Sequence, residues 1–213
     1  VVTPAVFAAL VLAEERVDEN PDDPYAYIQL VAAYLDAEMP EDAQDEMEQA
    51  LEVGAEDEQF LWDACRLMES RQAWLLAAQA CFRATELRQQ TSLELPLEQM
   101  TLMHEVMYRA ARDPALIDIF SFERVVLLDE PLAYATRARY LLYFGDPAEA
   151  QASLEELLRI KPDMPEALLL QAEFAARAGN RQEAQRWIDE LLASPGVREW
   201  MRQEADALLN PQP

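Results

Sequence analysis

Apolar residues recur along this chain at helical spacing, and few runs of Val, Ile, Thr or aromatic residues alternate as a strand requires. A longer period lies beneath. Gly145-Asp146-Pro147-Ala148-Glu149-Ala150 returns 34 residues later as Gly179-Asn180-Arg181-Gln182-Glu183-Ala184, each time between two apolar helical stretches. The same step defines units at 131–164 and 165–198 and, by subtraction, 97–130. A second register fits 24–57 and 58–91, and a five-residue insertion at 92–96 joins the two.

Aligned on this period, the columns acquire physical meaning. Tyr27, Leu61, Met100, Tyr134 and Leu168 share the fourth position, and Tyr34, Met68, Met107, Leu141 and Ala175 the eleventh. Those columns are seven apart and lie on one helical face. Met47, Cys81, Phe120, Leu154 and Ile188 occupy the twenty-fourth. The eighth and twentieth hold mostly small residues, as in Val31/Ala43, Cys65/Ala77, Ala138/Ala150 and Ala172/Ala184, so two antiparallel helices can approach closely.

This pattern resembles the tetratricopeptide repeat, with bulky residues early in helix A, small ones where helices A and B cross, and a frequent closing proline. Tyr134, Ala138, Leu141, Gly145, Ala150, Leu154, Leu157 and Pro162 follow it closely. The resemblance covers about residues 24–198. It implies an all-α, right-handed superhelical solenoid of antiparallel helix pairs, read as one array over 1–213 with five repeats and flanking helices. Departures are Arg137 and Gln171, where leucine is usual, and the poor unit 97–130, where His104 and Leu116 replace the small pair and Glu123 a further small residue.

The ends fit such an array. Asn20-Pro21-Asp22-Asp23 reads as a closing turn, making residues 4–19 a helix B without its helix A. Near the other end a capping helix is expected within 197–210. Val197, Trp200, Met201, Ala205 and Leu208 form its apolar stripe, while Arg202, Gln203, Glu204 and Asp206 face away. Pro211 and Pro213 end the fold. The chain begins Val1-Val2 rather than Met and is read as processed, trimmed or part of something longer.

Composition sharpens the reading. Hydrophobic residues make up 51% of the 213, with only 4 glycines, and the dominant residues are good helix formers. The net charge is −24, and residues 1–57 contribute −15 of it, from 16 acids and one base, Arg16. Phosphate binding needs a basic surface, so nucleic acid and anionic membrane are unexpected partners. The run Glu41, Asp42, Asp45, Glu46 and Glu48 forms an acidic face, read mainly as a solvating surface and secondly as a dock for a basic partner. The first apolar stretch, Val1 to Ala13, is too short to span a bilayer, and no basic region precedes it. The compartment stays open, cytoplasmic by default, with an upstream anchor or export segment possible.

No phosphate-cradling loop, nucleophile elbow or metal-spaced histidine pair occurs. Catalytic residues, metal and cofactor are therefore not expected, and the chain is read as a non-enzyme. The single histidine, His104, is read as structural. Cys65 and Cys81 have no spacing diagnostic of a disulfide framework or metal site, and both occupy core columns, so they are read as small hydrophobes.

The family resemblance implies a concave surface lined by helix A. Its columns place Tyr25, Ile28 and Leu35 in the first unit, Trp62 and Arg66 in the second, and Arg109 in the third. Arg139, Leu142 and Tyr143 follow in the fourth, Leu169 and Arg177 in the fifth. The family's chaperone-tail clamp needs lysine and asparagine where this chain has Ile28, Ala32, Trp62 and Arg66, so an apolar or amphipathic peptide with some acidic character fits better. The expected role is a scaffold or adaptor holding a peptide or protein in an assembly. The alternative is a structural subunit, or the regulatory segment of a larger protein whose catalytic part lies elsewhere.

Overall fold

The computed structural model describes residues 3–91 and 94–210. Of the inserted residues 92–96, positions 92 and 93 lie outside this set, as do Val1, Val2 and the closing prolines Pro211 and Pro213. The chain is all-α, with thirteen helices and no strand among the described residues. None of these helices is long and apolar enough to cross a membrane. The chain divides into two compact units, residues 1–110 and 111–213.

Unit 1 contains α1 (Pro4–Glu19), α2 (Pro24–Asp36), α3 (Pro40–Val53), α4 (Glu58–Ser70), α5 (Trp74–Gln90) and α6 (Leu97–Ala110). Local chemistry sets its helix starts. Thr3, Asp23 and Asp57 accept backbone N–H groups at the heads of α1, α2 and α4, and proline opens α1, α2 and α3. α2 pairs with α3, and α4 with α5. The repeat shows in the backbone as well. Glu38 and Gln72 end α2 and α4 with φ of 60° and 59°. Beside them Met39 N–H donates to Tyr34 O at 2.9 Å and Ala73 N–H to Met68 O at 3.0 Å, the same reversal one period apart.

The crossing columns close as expected: Val31, Ala43, Met47, Met68, Ala77 and both cysteines are fully buried. The reading of the cysteines as separate small hydrophobes is corrected, because Cys65 on α4 and Cys81 on α5 form a disulfide with Cα atoms 5.2 Å apart. The small-residue crossing brings the two backbones close enough for that bond. A separation of 16 residues in sequence says nothing about it.

Unit 2 begins with the part that breaks the repeat. Where one long helix B would follow α6, the chain makes α7 (Leu116–Ile119) and α8 (Phe122–Leu128), interrupted at Phe120–Ser121. Asp113 accepts from Ala115 N–H at 2.9 Å, and Ser121 accepts from Arg124 N–H at 3.3 Å. These local caps restart the helix instead of continuing it. Regular pairing resumes with α9 (Glu130–Phe144) on α10 (Pro147–Ile160) and α11 (Pro165–Arg177) on α12 (Arg181–Ala193), followed by α13 (Glu199–Leu209). Gly179 (φ 75°) stands one repeat position with Glu38 and Gln72, and Asn180 N–H donates to Ala175 O at 2.9 Å. On α13 Trp200, Met201 and Ala205 are buried, and Arg202, Gln203 and Asp206 are exposed. Glu204 departs from the expectation that it faces away, since its side chain is only 10% exposed and ion-paired.

Candidate functional site

A broad concavity lies in unit 1. α1 packs on α2 through Leu10, Ala13, Leu30 and Ala33, with Val17 and Tyr34 against them. Beyond that seam α1, α2 and α4 enclose a cleft of about 830 Å³. Its floor is small and apolar (Ala32 and Ala33), one wall carries Ala5, Val6, Ala9 and Leu12, and the other carries Leu67 and Arg71. Leu12 is 65% exposed. Two guanidinium groups reach into the lining, and both are engaged there. Arg16 Nη1 donates to Gln29 Oε1, and Arg71 lies 3.6 Å from Asp36. Glu15 and Glu19 at the same end have no ion-pair or hydrogen-bond partner among the described residues.

The residues assigned to a groove lining separate into open and closed positions. Ile28, Trp62, Arg139 and Leu169 are buried and present no surface. Their helices explain it. α2 meets α1, α3 and α4; α4 meets α2 and α5; α9 and α11 are packed by neighbours on several sides. A column that would face a groove in an edge helix is covered in these. Tyr25 is exposed, with its hydroxyl donating to Asp63 at 3.1 Å, and Arg66 lies 3.6 Å from the same carboxylate and 3.8 Å from Glu98. Burial first, and then Asp63, pushes the Tyr25 hydroxyl up from its ordinary value. Arg109 stacks on Trp74 at 4.2 Å, and Leu35 and Leu142 are half-buried.

In unit 2 the structure closes Arg139 into an ion cluster, with Tyr143 beside it and Arg177 exposed over the Tyr143 ring. Arg139 on α9, with no solvent exposure, forks onto Glu173 of α11, Nε to Oε2 at 3.1 Å and Nη2 to Oε1 at 2.6 Å. It also donates to Glu204 of α13. Arg112 completes the balance, 3.2 Å from Glu173 and 2.9 Å from Glu204. Arg112 and Arg177 lie 5.0 and 4.6 Å from the Tyr143 ring centroid. Burial pushes the Tyr143 hydroxyl up, Glu173 adds to this, and Arg112 and Arg139 oppose it. Glu173 and Glu204 were not anticipated. The signal for Glu173 was present, because it stands 34 residues after Arg139 in the same repeat column.

The acidic face lies on α3. Glu41, Asp42, Asp45 and Glu48 are exposed, whereas Glu46 is half-buried. Burial, followed by Asp45, Glu14 and Asp42, pushes the Glu46 carboxyl above its ordinary value of 4.5. Tyr34 donates to Glu14 at 3.3 Å beside it.

The tetratricopeptide repeat family model matches residues 141–196, from the last turn of α9 to just beyond α12. Over this stretch the chain carries that family's pair of antiparallel helices. Among solved structures it is similar to YrrB, described as a TPR protein with an unusual peptide-binding site. That alignment covers 91% of this chain and 97% of that one, at 16% identity and a TM-score of 0.37. No curated protein matches the chain.

Proposed function

We propose that this chain is a non-catalytic protein-interaction scaffold whose partner docks in the α1–α2–α4 cleft of unit 1. The cleft itself carries the reading: about 830 Å³ with a small-residue floor and an exposed leucine on its rim. Repeat-pattern helix pairs supply a stiff frame for such a surface, since each pair is held by its neighbours. The groups that might have suggested chemistry have structural employment. The cysteines are joined to each other, and Arg139 is paired with Glu173. The test is co-precipitation with the full chain as bait, followed by mass spectrometry. Ala9→Trp, a change at an exposed cleft residue, serves as comparison. Partners retained by the parent and lost with Ala9→Trp support the reading; an unchanged partner set contradicts it.

A second reading, a subunit buried in a larger assembly, is favoured by Ile117 and Leu127 in unit 2, which are 60% and 79% exposed. Ile117 borders a separate apolar cavity of about 160 Å³ lined also by Phe120, Phe122 and Val125. Substituting Ile117 and Leu127 by glutamate without loss of any partner would remove this alternative.

A further inference from the structure

Resting on the cleft reading above, we infer that the partner of the α1–α2–α4 cleft is a basic amphipathic segment, with apolar side chains on the alanine floor and Lys or Arg against Glu15 and Glu19. Three observations carry it. First, Arg71 is paired with Asp36, and Arg16 is hydrogen-bonded to the neutral Gln29, so its single positive charge stands against the two carboxylates of Glu15 and Glu19, which have no ion-pair or hydrogen-bond partner among the described residues. The charge left over at this end is therefore negative.

Second, those carboxylates stand where the helix does not favour them. They belong to the C-terminal part of α1, and the exposed carbonyls of a helix C-terminus repel anions. Glu19 lies in the last turn and Glu15 one turn before it, and residues kept for binding commonly break such a local rule. Third, the surrounding field has the same sign. Unit 1 carries 23 Asp and Glu against 6 Lys and Arg in residues 1–110, a net −17 of the chain's −24. Such a field steers a cationic segment toward the cleft and repels an acidic one. This reverses the partly acidic peptide expected from the sequence, because an arginine that would have attracted it, Arg139, is sealed in an ion cluster.

The test uses the full chain and three synthetic peptides of about 14 residues, with identical leucines at helical spacing and Lys, Gln or Glu elsewhere, read by fluorescence anisotropy. The Lys peptide is expected to bind about tenfold more tightly than the Glu peptide and to weaken as salt rises from about 0.05 to about 0.5 M. Glu15→Gln with Glu19→Gln should weaken it about fivefold while slightly raising the melting temperature. Glu41→Gln with Asp42→Asn, the same charge removed from α3, should change it by less than about twofold. Ala9→Trp should block it.

Equal binding of the Lys and Glu peptides, both blocked by Ala9→Trp, would overturn the charge inference and leave the cleft reading standing. Equal losses from the two charge-removing pairs would reduce the effect to general attraction and overturn the inference. Binding that is indifferent to Ala9→Trp, or no binding of any peptide, would overturn the cleft reading itself.

Discussion

Arg66 in unit 1 and Arg139 in unit 2 occupy the same position of the repeat and meet opposite fates. Arg66 is about half-exposed and holds Asp63 and Glu98 at 3.6 and 3.8 Å, a solvent-screened arrangement contributing little. Arg139 has no exposure and grips Glu173 at 2.6 Å, with Glu204 and Arg112 completing a balanced set of four. What differs is the cover. Glu204 comes from α13, which packs on α11 and has no counterpart within the two repeats of unit 1. Repeat position thus sets where a side chain points, and the next element in the chain decides whether it becomes surface or core. Unit 1 consequently leaves its charge outward and its helices open around a cleft, while unit 2 turns charge into a closed staple.

Breaking that staple should give the largest effect. Arg139→Met leaves Glu173 buried without its fork and is expected to destabilise unit 2 by about 3–5 kcal/mol. Arg139→Met with Glu173→Leu should recover most of that loss. Amide exchange in α11 under increasing urea would show both, with α2 and α4 unaffected. In unit 1 the corresponding fastener is the disulfide. Cys65→Ala with Cys81→Ala opens a loop of 16 residues, for which about 3 kcal/mol is expected. Thermal melts of the parent and double variant check it, and an unchanged unit 1 transition would show that the crossing helices hold without the bond.

Smaller effects sharpen the comparison. Glu38 and Gln72 bear a left-handed backbone that glycine occupies at the equivalent Gly179. Glu38→Gly and Gln72→Gly should each stabilise unit 1 by about 1 kcal/mol, and Gly179→Ala should destabilise unit 2 by a similar amount. Urea midpoints decide it. The smallest effect is electrostatic. The Glu46 carboxyl is raised in the folded chain, so the folded state takes up a proton more readily than the unfolded one. Its penalty is fully present above the folded-state value and is relieved as pH falls through that value toward 4.5. Glu46→Gln should therefore stabilise by about 0.3 kcal/mol at neutral pH, with the gain vanishing in mild acid. Melting temperature against pH for both proteins measures this.

Much of the fold was legible because the repeat writes itself into several columns at once. Pro40 and Trp74 open the second helix of successive pairs one period apart, and Ala43, Ala77, Ala150 and Ala184 are all buried at the crossings. The interruption in 97–130 showed as a lost small pair, although its form, two short helices capped by Ser121, depends on local hydrogen bonds. Side-chain partnerships were harder to see. The Cys65–Cys81 bond depends on how closely two helices cross, and Glu204 reaches Arg139 from 65 residues away. Trp62 and Ile28 were assigned to a groove by column, and neighbouring helices cover them. The cleft is not visible in the groove columns because those come from helix A of the five full units, whereas one wall of the cleft is α1, read as a helix B.

The claim that unit 1 is the docking unit can be tested directly by hydrogen exchange of the full chain with and without the Lys peptide. Added protection should fall in residues 5–19, 29–36 and 67–71, with residues 130–177 unchanged. Protection concentrated around Tyr143 and Arg177 in unit 2, or confined to the exposed face of α3, would contradict the account.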